Sequence, residues 1–188
     1  MPNLLLITPM SDRIEDHRIL KGLLAGMVAG VAGAWFMNQF QSGLTRVQAA
    51  WEKSAHEQEQ QNPQQNMDQD AEDATMKAAD RVVSIVTHRH LTKEQKKKAG
   101  PIVHYAYGAL IGGVYGALAE VAPTVTTYAG TAYGAAAWLA GDEIAVPKLG
   151  LSEPPSKYPP KVHIQALAAH LAYGLGTDLV RRGVRAAL

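Results

Sequence analysis

The sequence predicts an all-α integral membrane protein: a multi-pass transmembrane helical bundle of about four spans, with an amphipathic helical hairpin protruding from it. Three observations predict this. Pro101 to Glu120, PIVHYAYGALIGGVYGALAE, holds no Lys or Arg over about the 20 residues a helix needs to cross a bilayer. A second uncharged stretch runs from Gly22 to Phe40. In both, glycine recurs every fourth residue (Gly22, Gly26, Gly30 and Gly108, Gly112, Gly116), which puts it on one helix face where another backbone can come close in lipid.

Composition narrows the function classes. The chain has 188 residues, a net charge of +1 and no cysteine. One domain's length with balanced charge gives no basic footprint for nucleic acid. The lack of Cys removes disulfides, thiolate metal sites and thiol nucleophiles. The start, MPNLLLITPM, has an apolar run but no basic region before it and no small-residue cleavage site after it, so a cleaved signal peptide is not expected. No P-loop, dinucleotide or serine-nucleophile pattern occurs, and no enzyme is expected.

In order, residues 1–40 hold an N-terminal segment and the first span. Ser11 is the expected N-cap, with Asp12, Glu15 and Asp16 in the favoured first turn. Residues 41–100 form the polar hairpin. Leu44, Val47 and Trp51 keep a helical spacing, so the first helix runs on to about His56. Residues 57–70 are rich in Gln and Asn and make its tip or linker. Met76, Ala79, Val83 and Val86 form an apolar stripe on a helix over about 71–91, expected to pack on the extension of the first helix. Residues 101–188 hold spans two to four. Span two follows Gly100-Pro101, a reversal surrounds Pro123, and a third helix covers 125–141 with Gly130 and Gly134 four apart. A Pro-rich loop spans 147–160, and a fourth helix covers 162–179.

His-x-Ala-Tyr-Gly occurs at His104–Gly108 and again at His170–Gly174, and Ala132-Tyr133-Gly134 echoes it. The small residues Gly108, Gly134 and Gly174 are expected to allow contact. Tyr107, Tyr133 and Tyr173 fill the adjoining space, each hydroxyl finding a partner. Antiparallel spans put the chain ends and the Glu120–Thr124 turn on one side, with six of the 18 Lys/Arg; the other twelve favour a cytoplasmic 41–100 region. The run from Lys93 to Lys98 is a solvated flank in reach of anionic headgroups.

The same arrangement brings His104, Asp142, Glu143 and His163 to one membrane side, with His170 about 10 Å deeper than His163 on one helix face. Ionisable groups inside a membrane raise a functional hypothesis by default. Imidazole with carboxylate suits a divalent metal, two histidines suit axial haem ligation, and either set suits a proton relay. A structural hydrogen-bond role competes with all three, and no metal motif such as HExxH is present. Asp178, followed by Arg181 and Arg182, is expected to form an interfacial ion pair.

The succession of a Gly-rich first span, AEDATMKAADRVV, VHYAYGALIGGVYGALAEVAP, AYGAAAWLAGDEIAVPKLGL and AAHLAYG resembles the YagU-type family of bacterial inner-membrane proteins over about residues 20–180. The resemblance implies a multi-pass protein of the bacterial inner membrane with poorly defined biochemistry, and it supplies no catalytic residues. Two functions fit. One is a non-enzymatic structural or accessory subunit of a larger membrane complex, or a self-assembling homo-oligomer, with the lipid bilayer as its other partner and no cofactor. The alternative is a small proton- or metal-handling transport protein.

Overall fold

The computed structural model describes residues 10–56 and 72–188, with side chains over 16–51 and 72–188. Every regular element among them is helical: α1 (Met10–His56), α2 (Ala74–Thr87), α3 (Lys93–Val121), α4 (Thr131–Trp138), α5 (Val146–Lys148) and α6 (Pro160–Ala187). A 3-10 segment, Pro123–Gly130, leads into α4. A π-helical segment, Leu139–Ala145, joins α4 to α5, and a 3-10 turn, Pro155–Lys157, precedes α6. Residues 1–9 and the Gln/Asn-rich stretch 57–70 lie outside the described residues. Because α1 is described from Met10, Ser11 falls within the helix and not at its cap.

Glycine decides which helices meet. α1 and α3 run antiparallel with their glycines interleaved. A methyl group at Gly26 would collide with the Gly112 carbonyl oxygen, one at Gly30 with that of Gly108, and one at Gly116 with that of Gly22. The same device joins α4 to α6: a methyl group at Gly174 would strike the Gly130 carbonyl oxygen, and one at Gly134 that of His170. Gly33 of α1 faces Thr177 of α6, and Gly176 of α6 receives the Phe36 ring. α1 is thus central, with α3 and α6 against it and α4 on the outer side of α6.

The interior is built mostly from small residues and tyrosine, with Met37 among them, and most large aliphatic side chains point outward. Ala25, Ala29, Ala34, Ala169, Tyr115 and Tyr173 are buried. Leu24, Val28, Val31 and Phe40 on α1 and Leu110, Val114 and Leu118 on α3 are exposed. A water-soluble core has the opposite distribution.

Two helices, α1 over Asp16–Trp51 and α3 over Lys93–Val121, are long and apolar enough to cross a membrane. The expected four spans are corrected to these two. The third expected helix is broken: Thr127 is extended and Tyr128, Ala129 and Gly130 all have positive φ, so regular helix starts only at Thr131. α6 carries His163, His170, Asp178 and three arginines, and its mean hydropathy falls accordingly.

Other boundaries move for local reasons. α3 begins at Lys93, not after Gly100-Pro101, because Thr92 and Gln95 form a capping box; Pro101 lies inside the helix. Pro147 belongs to the first turn of α5, where its missing N–H is tolerated, so the Pro-rich loop starts later than expected. α2 packs on the start of α3, not on the extension of α1. Its Met76 and Ala79 are buried, with Met76 meeting α3 at Gly100, while Val86, the last residue of the stripe, is 75% exposed. Asp80 fixes the hairpin, accepting from the Leu91 amide at 2.7 Å and pairing with the His90 ring at 3.0 Å. These contacts hold the Asp80 carboxyl below its ordinary value, the Leu91 amide foremost.

A candidate binding chamber

The bundle has a polar end cap and an open chamber. At the end that holds the α3–α4 turn, Glu120 accepts from Arg185 Nε at 2.7 Å, and the Arg18 guanidinium donates to its main-chain oxygen at 3.2 Å. As expected from an antiparallel arrangement, Lys21 donates to the Leu188 carbonyl on the same side, at 2.5 Å. Two turns before Arg185 on α6, Asp178 is fully buried, accepting from the Tyr115 hydroxyl at 2.8 Å and from Arg181 and Arg182 at 3.1 Å and 2.8 Å. The expected ion pair is therefore present within α6, but its carboxylate is internal, and the Tyr115 hydroxyl ties it to α3.

At the hairpin end, α1, α3, α6 and the π-helical segment diverge around a cavity of about 780 Å³. His104, His163, His170, Asp142 and Glu143 all line it, together with Tyr107 and Tyr173. From His163 to Tyr173 it extends about 15 Å along α6, at 1.5 Å per residue. Both consecutive acids on the chamber wall belong to the π turn, a wider turn of the kind often found at functional sites.

The five residues divide into pairs. His163 Nδ1 lies 2.6 Å from Glu143 Oε1, and its Nε2 lies 3.1 Å from the Pro155 carbonyl oxygen. Glu143 holds the His163 imidazole above its ordinary value, and through the Pro155 carbonyl the pair ties the 150–159 strap to α6. His170 Nδ1 donates to the Ala166 carbonyl at 2.9 Å and stands 3.8 Å from Asp142 Oδ2. His104 Nε2 is buried without a hydrogen-bond partner among the described residues. No three His, Asp or Glu side chains among the described residues converge to hold a metal ion.

The tyrosines behave unequally. Tyr173 donates to the Gly108 carbonyl at 2.7 Å and Tyr133 to that of Ile111 at 2.9 Å, each spanning two helices. Tyr107, expected to pack likewise, is 48% exposed and faces the chamber. Sequence reasoning missed Tyr115, which is fully buried, and the Asn38–Tyr105 hydrogen bond of 3.2 Å. A signal for Tyr115 existed: Tyr115-Gly116 is another Tyr-Gly pair, like those at 107, 133 and 173.

Fold and site together define an all-α bundle, two of whose helices can cross a membrane, with a histidine- and acid-lined chamber open at one end. The chain belongs to the family described as "Protein of unknown function (DUF1440)", whose model matches residues 45–179, from the extension of α1 to near the end of α6. Comparison with curated proteins and with solved structures gives no match.

Proposed function

We propose that this is a non-enzymatic, multi-pass protein of a bacterial inner membrane that handles a small solute or proton at the chamber. The outward-facing aliphatic belt supports the membrane setting: in lipid, small residues mediate helix contact and large ones face the acyl chains. The resemblance to YagU-type proteins supports the bacterial inner membrane. The observation that carries the function is the chamber, whose walls bring His104, His170 and Asp142 together at the hairpin end of the bundle. Imidazole beside carboxylate suits proton exchange near neutrality. The pairwise arrangement favours a proton over a metal, which needs several ligands at one point.

The test is proton flux into proteoliposomes under an imposed potential. Native protein should carry a flux that His170→Ala abolishes while leaving the unfolding temperature in detergent nearly unchanged. A flux no greater than that of empty vesicles would overturn the reading.

A second reading, an accessory subunit or homo-oligomer, is favoured by one observation. Val47 and Trp51 on the α1 extension and Val82, Ile85 and Val86 on α2 are exposed on the arm beyond the belt. The glycine faces no longer support it, because they are used between helices of one chain. The mass of the detergent-purified assembly tests it, with a metal and haem scan of the same sample. A companion subunit or a defined oligomer would favour this reading. Stoichiometric metal or haem would make the histidines ligands instead.

A further inference from the structure

We infer that the chamber takes an apolar organic cation. This rests on the chamber being the working site, and it concerns which solute fits. The walls are mostly apolar, and among the described residues that line the chamber there is no Lys or Arg. Four carboxylates line it: Asp73, which caps α2 through the Met76 amide, Glu153 on the 150–159 strap, Asp142 and Glu143. Glu143 is paired with His163, but Asp142 is not closely matched: its nearest cationic candidate, His170 Nδ1, stands 3.8 Å away and already donates to Ala166. A carboxylate at an apolar wall without a strong partner is poorly solvated, which disfavours its charge, and a cation bound beside it restores the ionised form. Tyr107, which lines the same space, adds an aromatic ring beside which a cation is stabilised. An anion would meet carboxylates and no fixed positive charge. A small hydrated cation would leave the apolar walls unsatisfied. A cation with an apolar body answers both, with its charge near Asp142 and its body toward Ile111 and Ala34.

Equilibrium dialysis of the detergent-purified protein with radiolabelled tetraphenylphosphonium, and with tetraphenylborate as its anionic counterpart of the same shape, tests this. Saturable binding of the cation, and none of the anion dialysed in a separate sample, is expected. Asp142→Asn should weaken it about tenfold, the scale of one lost charge contact, and Asp142→Glu should retain it. Ala166→Phe, which narrows the chamber, should weaken it without altering the charge. Equal saturable binding of both ions would overturn the cation preference and leave the chamber reading intact. Absence of saturable binding, with proton flux present, would overturn the cation inference alone; with flux also absent, both fall.

Discussion

Gly112 and Gly43 are both helical glycines, and only one is needed. A methyl group at Gly112 would strike the backbone of Gly26 and Gly30, whereas one at Gly43 meets nothing within 4 Å. Backbone cannot move aside as a flexible side chain can. Gly112→Val should therefore cost about 3 kcal/mol, the upper range of overpacking. Gly43→Ala should gain up to about 1 kcal/mol from helix propensity. Unfolding of both variants in detergent checks the contrast. Tyr115→Phe removes the hydroxyl that Asp178 accepts from and should cost about 2 kcal/mol, since a buried charged acceptor then loses a donor. The glycine faces were readable from a four-residue spacing alone. What spacing could not say was that the faces of α1 and α3 meet each other, leaving none for a second copy. Tyr107 and Tyr115 show the same limit: both precede glycine in α3, yet one lines the chamber and the other is fully buried.

Elements were readable where one periodic signal dominated and not where two local signals competed. α1 and α3 followed from unbroken apolar stretches. The helix expected over 125–141 did not, because three successive residues of positive φ cannot be seen in a string of Thr, Tyr, Ala and Gly. The π turn at Leu139–Ala145 was equally hidden, although it carries Asp142 and Glu143, both on the chamber wall. The docking of α2 turned on Gly100, whose missing side chain leaves room for Met76. At this scale pH is informative. His163 is ordinarily half-protonated at 6.5 and is raised by Glu143 in the fold, so the tie stabilises fully below pH 6.5 and is lost as pH rises through the raised value. The stability difference between native protein and His163→Gln should shrink on going from pH 6 to pH 9, as read by thermal unfolding at each pH. A difference that grows with pH would contradict the tie.

As a whole the molecule is inverted relative to a soluble bundle, with alanine, glycine and tyrosine inside and leucine, valine and phenylalanine outside. Its two ends differ. One is closed by carboxylates that each hold arginines, and the other opens between helices that part around histidines and acids. The membrane claim was readable from α1 and α3. The chamber was readable only as a list of residues sharing one side, since its volume depends on how far the π turn and the 150–159 strap stand from α3. The claim makes a simple demand on topology: α3 must take the chain from one side of the bilayer to the other. The chain has no native cysteine, so single introduced thiols report their positions without background. Lys97 and Thr124 flank the apolar part of α3, and both are exposed.

The measurement that tests the account most directly is labelling of Lys97→Cys and Thr124→Cys by a membrane-impermeant maleimide, in sealed vesicles of known orientation. The account predicts that the two thiols react from opposite sides, with the Lys97 position on the side of the hairpin and the chamber mouth. Labelling of both from the same side without lysis would contradict it.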